Sequence, residues 1–279
     1  MFSDLATRRL ALFLLLLGAA ALVVWLDSAR RRMGVTRAQF PIYLFSLVMT
    51  RVRWRARVEG KIALPRGQGA IIVCNHICPV DPAFIALACD RQVHWMVARE
   101  YCRLPLLGWA LKTLQVVPTG RSGVDTAATK LAMRYARQGE LVGMFPEGRL
   151  NDRRRFMLPG RAGAAMVALR ARVPVVPCYI EGSPWDGTDF GFFLMTAKTR
   201  LKVGRPIDIS EYYGREGDRE VHRALTLRFL REIAALAGLP DYEPELAGKG
   251  WKSTNGPLSE VPHGDGGSQR PPSDVAARA

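Results

Sequence analysis

From Leu10 to Leu26 the chain runs LALFLLLLGAAALVVWL, seventeen residues without a charge. A helix apolar on every side must be enclosed by protein or by lipid. At 1.5 Å per residue this one is roughly 26 Å long, at the lower limit for crossing a bilayer. Arg8 and Arg9 precede it, Arg30, Arg31 and Arg32 follow, and Arg37 lies beyond. The heavier basic flank is carboxy-terminal, which by the positive-inside rule leaves the rest of the chain on the cytoplasmic side. A cleaved signal peptide is the rival reading, with Ala19 and Ala21 as the cleavage pattern, but the apolar run continues past them to Leu26.

A second apolar stretch, Phe40 to Met49, is too short to span and reads as an interfacial or re-entrant helix beginning at Pro41, with a core helix as the alternative. Arg51 to Val58 then alternates. Arg51, Arg53, Arg55 and Arg57 fall on one side and Val52, Trp54, Ala56 and Val58 on the other, the pattern of a half-buried strand with a basic face. Residues 1–57 hold ten Arg against Asp4 and Asp27, so +8 of the formal +15 sits in the first fifth of the chain. Basic residues next to apolar segments suit anionic headgroups. They match no nucleic-acid-binding module, so no nucleic acid is expected as partner.

The 279 residues suit one catalytic domain with appendages, and 48% hydrophobic with 23% charged residues excludes wholesale disorder and a polytopic transporter. After residue 58 strands and helices alternate. Strands are expected at Ala70–Cys74, Val93–Ala98, Glu140–Phe145, Val173–Ile180 and Arg200–Gly204. Helices are expected at Pro82–Cys89, Asp125–Gln138, Gly160–Ala171 and Asp218–Ala237. Two prolines in Val173–Ile180 suggest an edge or bulged position. The fold class is α/β, a largely parallel or mixed central sheet flanked by helices, with an N-terminal membrane-associated helical segment. From Glu243 onward Gly, Pro, Ser and Asp dominate, as in a disordered tail. The five cysteines, Cys74, Cys78, Cys89, Cys102 and Cys178, lack framework spacing and fit reduced thiols. Cys74, His76 and Cys78 alternate as zinc ligands can, with Cys89 or His94 nearest in sequence as a fourth; buried inert thiols are the competing and better reading.

The chemistry concentrates in two strand-end clusters. Asn75-His76-Ile77-Cys78-Pro79-Val80-Asp81-Pro82 follows a buried strand and opens a helix. A histidine at the carboxyl end of a strand is placed to act as a base. A turn through Pro79 can return the Asp81 carboxylate to the imidazole, as in a triad lacking its serine, which makes a substrate hydroxyl the attacking group. The plainer reading has Asp81 as a helix cap. Phe145-Pro146-Glu147-Gly148-Arg149 ends a second strand. Glycine beside arginine lets backbone and guanidinium approach an oxyanion, with Glu147 holding Arg149 or a backbone amide. Pro118-Thr119-Gly120-Arg121 is a weaker third cluster.

Together these residues resemble the glycerolipid acyltransferase family that contains the 1-acylglycerol-3-phosphate acyltransferases. The blocks appear in order: Asn75-His76 with four residues to Asp81; Arg99-Glu100 through Pro105 and Gly108 to Arg121; Phe145 to Arg149; and Val173 to Ile180 with Pro177. The resemblance covers roughly residues 50–210. It departs in two places. Arg149 follows Gly148 directly and Leu150 stands where the family often has its Arg, as in acyltransferases acting on lysophosphatidylethanolamine; and Gly120 precedes Arg121 where an acidic residue is frequent.

The resemblance implies acyl transfer from a thioester, acyl-CoA or acyl-carrier protein, to a lysophospholipid hydroxyl. His76 is then the base and Asp81 its orienting carboxylate. Arg149 and Arg121 hold the acceptor phosphate, in a pocket shaped by Glu147 and Gly148. No metal or resident cofactor is implied. The acceptor stays open between 1-acylglycerol-3-phosphate and another lysolipid, a non-catalytic lipid-binding protein is the rival from another class, and the oligomeric state is open. The expected divisions are a membrane anchor and interfacial helix over 1–50, an acyltransferase domain over 51–242 and a tail over 243–279.

Overall fold

The computed structural model describes residues 2–32, 34–120, 125–151, 155–188 and 190–248. An apolar helix α1 (Phe2–Arg32) and a short helix α2 (Phe40–Val48) precede the sheet. Within α1, Ala6–Arg31 is long and apolar enough to cross a membrane, and none of that stretch is buried by the rest of the chain. Helix α2 opens with Pro41 in its first turn and buries no residue of its own, which favours the interfacial reading over the core one. The Gln39 side chain at its entry donates to the Thr113 carbonyl at 3.0 Å, tying the helical pair to the domain.

The strands are β1 (Arg57–Glu59), β2 (Ala70–Cys74), β3 (Val93–Ala98), β4 (Val117–Thr119), β5 (Leu141–Met144), β6 (Val175–Glu181) and β7 (Arg200–Val203). The helices between and after them are α3 (Asp81–Ala86), α4 (Pro105–Thr113), α5 (Thr126–Arg137), α6 (Gly163–Ala171) and α7 (Arg219–Leu236). The sheet order is β1-β7-β6-β2-β5-β3-β4. Every neighbouring pair is parallel except β6 with β7. The sheet is therefore mixed, within the expected class. Alternate residues of β2 enter different cores. Ile71 and Val73 meet α5, α6 and α7 on one face, while Ala70, Ile72 and Cys74 meet Trp54, Phe84 and Trp95 on the other. A strand buried on both faces reads as an unbroken apolar run, and AIIVC is one.

Local chemistry sets both ends of α5. Asp125 caps α5 by accepting from the Ala128 amide at 3.0 Å. Gly139 follows that helix at φ +88°, where an added Cβ would meet the Gly67 carbonyl oxygen at 2.5 Å.

The sequence reading needs correction in three places. Arg51–Val58 is not one strand: α2 runs on into a π-helical turn, Met49–Arg53, and only Arg57–Glu59 joins the sheet, beside β7. The burial of Trp54 decides this. Its indole lies 5.5 Å from the Phe84 ring and donates to the Phe192 carbonyl at 3.3 Å, and turning it inward winds the backbone through the Met49 carbonyl bond to the Trp54 amide. Val52, expected on the buried side, is 70% exposed.

Second, Val175–Glu181 lies inside the sheet, between β2 and β7, so of the two positions offered for its prolines the edge is excluded. Between the Cys178–Val203 pair and the Val175–Ile207 bridge, Val176 and Pro177 face Gly204, Arg205 and Pro206. That extra residue is a bulge, and it accommodates a residue with no N–H to give. Third, Glu243–Ala247 is held on the domain: the Gly160 amide donates to Glu245 and the Ala247 amide to Gly160. Tyr242 packs edge-on against Phe156 at 5.0 Å. The rest of the expected tail, from 249, lies outside the described residues.

Gly143 occupies the middle of β5 opposite Trp95 of β3, and an added Cβ would stand 2.4 Å from the indole. Gly143→Ala is therefore expected to destabilise the fold by about 1–3 kcal/mol through overpacking. Gly163→Ala, where the Cβ meets only the Met144 methyl at 3.6 Å, is expected to be neutral or slightly stabilising. Denaturant midpoints of the two variants decide the matter; equal midpoints would show that Trp95 yields freely.

Candidate active site

The carboxyl ends of β2 and β5 lie side by side at the sheet centre, where α/β folds place their ligands. Asn75 closes the end of β2 by bonding β6 twice, donating to the Ile180 carbonyl and accepting from the Ile180 amide, each at 2.8 Å. The chain then turns back on itself through residues 76–81. The Asp81 carboxylate sits at the turn's centre, fully buried. Its Oδ2 accepts from the Ile77 amide at 2.7 Å, the Cys78 amide at 2.8 Å and His76 Nδ1 at 3.0 Å. Its Oδ1 accepts from the Ser183 hydroxyl at 2.7 Å. Because Oδ2 already holds two amide protons, it serves Nδ1 as an acceptor. Nδ1 carries the proton and the Nε2 lone pair is left as the base. The imidazole is also fixed from its face, stacked on the Phe145 ring at 3.7 Å and 5°, and Phe145 in turn on Trp95 at 4.8 Å. The His76 side chain stays 16% exposed, so the base remains reachable.

Glu147 is the second buried carboxyl. Of its two expected roles it takes the backbone one: Oε1 accepts from the His76 amide and Oε2 from the Leu158 amide, both at 2.8 Å. It thus couples the loop after β5 to the base itself. The Asn151 amide adds a second tie by donating to the His76 carbonyl at 2.7 Å. Burial pushes the Glu147 carboxyl up to about 8; the two amides act against that, the Asp81 charge adds to it, and the Arg149 guanidinium lowers it. Gly148 turns the loop at φ +69°, with Arg161 packed where its Cβ would stand, at 3.0 Å. Arg149 is half-buried beside them. His76, Asp81, Glu147, Gly148 and Arg149 are thus brought together. Arg121 lies outside the described residues; the preceding Gly120 amide donates to Asp125 at 2.9 Å.

Sequence reasoning missed Ser183, Trp95 and Arg161. Ser183 lies 102 residues from Asp81, and nothing around it marks it as a carboxylate partner. The Trp95–Gly143 opposition left a faint signal, a glycine inside an apolar strand. The alternating Cys74, His76 and Cys78 do not converge: His76 turns to Asp81, Cys78 Sγ to the Pro184 carbonyl and Cys74 into the core. All five cysteines are free thiols, and burial raises the Cys74, Cys89 and Cys178 thiols.

Residues 55–181 match the family model described as Acyltransferase. The chain is similar to a 1-acyl-sn-glycerol-3-phosphate acyltransferase of Bacillus subtilis, 26% identical over 166 residues, covering 59% of this chain and 80% of that protein. It is also similar to an uncharacterized protein of Mycobacterium tuberculosis, 33% identical over 144 residues, covering 47% of this chain but only 38% of that longer protein. Among solved structures, the 1-acyl-sn-glycerophosphate acyltransferase PlsC of Thermotoga maritima superposes with a TM-score of 0.54 at 23% identity, over 73% of this chain and 86% of that one. That likeness is one of fold.

The Glu147 carboxyl yields a pH prediction. Its folded-state pKa of about 8 lies above the ordinary 4.5. The native state therefore keeps a proton that the unfolded chain releases. The resulting stabilisation is complete below pH 4.5 and is lost as pH rises through about 8. In detergent micelles, the wild-type unfolding midpoint is expected to fall between pH 5 and 8.5 relative to that of Glu147→Gln, which cannot titrate. Parallel curves for the two proteins would show that Glu147 is ionised throughout.

Proposed function

We propose that the chain is a member of the glycerolipid acyltransferase family and that it moves a fatty acyl group from a thioester to the hydroxyl of a lysophospholipid, with 1-acylglycerol-3-phosphate as the acceptor and phosphatidic acid as the product. The observation that carries this reading is the seating of Asp81. Its carboxylate accepts a hydrogen bond from His76 Nδ1–H, and the nearby Ser183 hydroxyl donates to its other oxygen, so neither Asp81 nor Ser183 is arranged as a protein nucleophile. A base so oriented, with no serine or cysteine aligned to it among the described residues, calls for a hydroxyl brought by the substrate.

In this mechanism Nε2 of His76 takes the acceptor hydroxyl proton as its oxygen bonds to the thioester carbonyl carbon. The tetrahedral intermediate collapses with cleavage of the carbon–sulfur bond. The imidazolium returns its proton to the departing thiolate, and Asp81 stabilises the imidazolium in between. The products are ester and free thiol, and no resident cofactor or metal enters the balance; acyl-CoA or acyl-carrier protein is the co-substrate. Arg149 and Arg121 bind the acceptor phosphate, with Gly148 admitting it and Glu147 keeping the loop in register. Helix α1 anchors the enzyme, with the domain on the cytoplasmic face. Support for this acceptor comes from relatives named 1-acyl-sn-glycerol-3-phosphate acyltransferase in Bacillus subtilis, Borreliella burgdorferi and Brassica napus. The Gly148-Arg149-Leu150 sequence favours a second reading in which lysophosphatidylethanolamine is the acceptor. A panel of lysolipids with acyl-CoA and with acyl-carrier protein, followed by thiol release, separates the two readings; absence of thiol release with every pair would leave a lipid-binding protein.

His76→Ala is expected to lower turnover by about 10²–10⁴-fold in a folded protein. Asp81→Asn is expected to cripple turnover as well, because the amide no longer enforces the Nδ1–H tautomer. Near-wild-type thiol release by folded His76→Ala would end the mechanism. Arg149→Lys keeps the charge but loses the planar fork, and its acceptor KM is expected to rise roughly ten-fold with a smaller change for the donor. Saturating each substrate separately reads this out; a rise confined to the donor KM would assign Arg149 to the thioester side.

A further inference from the structure

Past Ser183 and Pro184, which bond the 76–81 turn, the loop after β6 carries a run of large apolar residues, Phe190-Gly191-Phe192-Phe193-Leu194. Phe192 alone turns inward: it is buried, its ring lies 6.3 Å from that of Trp54, and its carbonyl accepts the Trp54 indole N–H. That anchor fixes the short 3-10 turn Gly191–Phe193 and sends its neighbours outward. Phe190 is 54% exposed and Leu194 82%. Phe193 leans toward α2, with its ring centroid 6.1 Å from that of Phe45. The Arg53 guanidinium donates to the Leu194 carbonyl and ties the loop to the turn after α2. Helix α2 presents exposed Leu44, Phe45, Leu47 and Val48 on the same side of that junction, and Val52 continues the set.

Two segments about 140 residues apart in sequence thus join into one apolar face. Its surroundings are basic. Between Ser28 and Val58 the chain has no Asp or Glu, and Arg51, Arg53, Arg55 and Arg57 are exposed in the segment that carries Val52, with Arg53 bonded to the loop itself. Two acidic residues precede the run in sequence, Asp186 and Asp189; Asp186 is engaged with Thr188 in its own turn. An apolar face rimmed by arginines is complementary to a bilayer with anionic headgroups. It is also continuous, through α2 and the Gly34–Gln39 turn, with the apolar helix that is long enough to span.

We propose that residues 190–194 form, with α2 and Val52, a second lipid-docking element, which inserts into an anionic leaflet independently of α1 and fixes the tilt of the catalytic domain on the membrane. The occupant is lipid rather than a second copy of the chain, because the arginine rim would face itself across a two-fold interface.

A photoreactive benzoylphenylalanine installed at Leu194 tests this directly. The full-length protein is reconstituted in vesicles of phosphatidylglycerol and phosphatidylcholine and irradiated, with the same group at Leu15 of α1 as the control. A lipid adduct at 194 comparable in yield to that at 15 is expected. A chain-to-chain adduct at 194, or no lipid adduct there while position 15 labels, would overturn the proposal. A second arm rests on the acyl-transfer reading. Leu194→Asp is expected to lower turnover of a vesicle-borne lysolipid ten-fold or more, while turnover of a short-chain, water-soluble acceptor changes less than two-fold. An equal fall with both acceptors would make the loop a structural part of the domain. Failure of acyl transfer altogether would remove only this arm and leave the lipid adduct to decide.

Discussion

A carboxylate with no contact to solvent is tolerated only if its lone pairs are filled, and Asp81 meets that condition with four donors. Those donors come from places the chain must bring together: the amides of the 76–81 turn, the imidazole at the end of β2 and a hydroxyl beyond the end of β6. The turn, the ordering of the central strands and the segment after β6 are therefore fixed by one group. Losing any donor leaves an oxygen buried without its partner, which costs about 1–3 kcal/mol, more next to a charge. The same arrangement that makes burial of the carboxylate possible also orients the imidazole, so stability and the proposed catalysis rest on the same hydrogen bonds.

Glu147 shows what happens with fewer donors. Two amides meet its oxygens where Asp81 has four partners, and desolvation then dominates its titration. The group is useful for another reason. Its two amide partners belong to His76 and Leu158, so the loop after β5 cannot move without carrying the backbone of the base. Arg149, two residues on, is thereby placed relative to Nε2 by the buried Glu147 side chain. The stacked series Trp95, Phe145 and His76 does the same for the ring plane, and it exists because Gly143 leaves the indole room to lie across β5.

Much of this was legible in the sequence because the signals were local. AIIVC reads as a short buried strand; Asp125 and Gly139 bracket a helix; His76 and Asp81 sit five positions apart on either side of a Pro-containing turn. What the sequence hid was long-range or depended on competition. Ser183 meets Asp81 only through the β2–β6 neighbourhood, which no residue near 183 announces. The alternation at 51–58 is real as far as Trp54 and Ala56, but the indole had a prepared place between Phe84 and Phe192, and packing a tryptophan outweighs extending a strand by the six residues 51–56. Arg161 reaches Gly148 only because the chain returns through Pro146, whose carbonyl accepts the Arg161 amide.

The spacing between His76 and Asp81 has a geometric cause. For one carboxylate oxygen to accept amides three and four residues back and also reach the ring five back, the chain must close a single tight turn; the Asp81 amide completes it by donating to the Cys78 carbonyl at 3.0 Å. Pro82, fixed near helical φ, then starts α3 and stops the turn from relaxing. The first turn of α3 carries Phe84 to Trp54, and Trp54 follows Val52 on the apolar face. From the other side, Ser183 and Pro184 bond the turn directly, and Phe190 begins only seven residues after Ser183, a reach of at most about 25 Å. The base and the apolar face are thus built on the same few side chains from two directions. In the proposed reaction, a lipid seated on that face would bring its hydroxyl toward His76 along this shared framework.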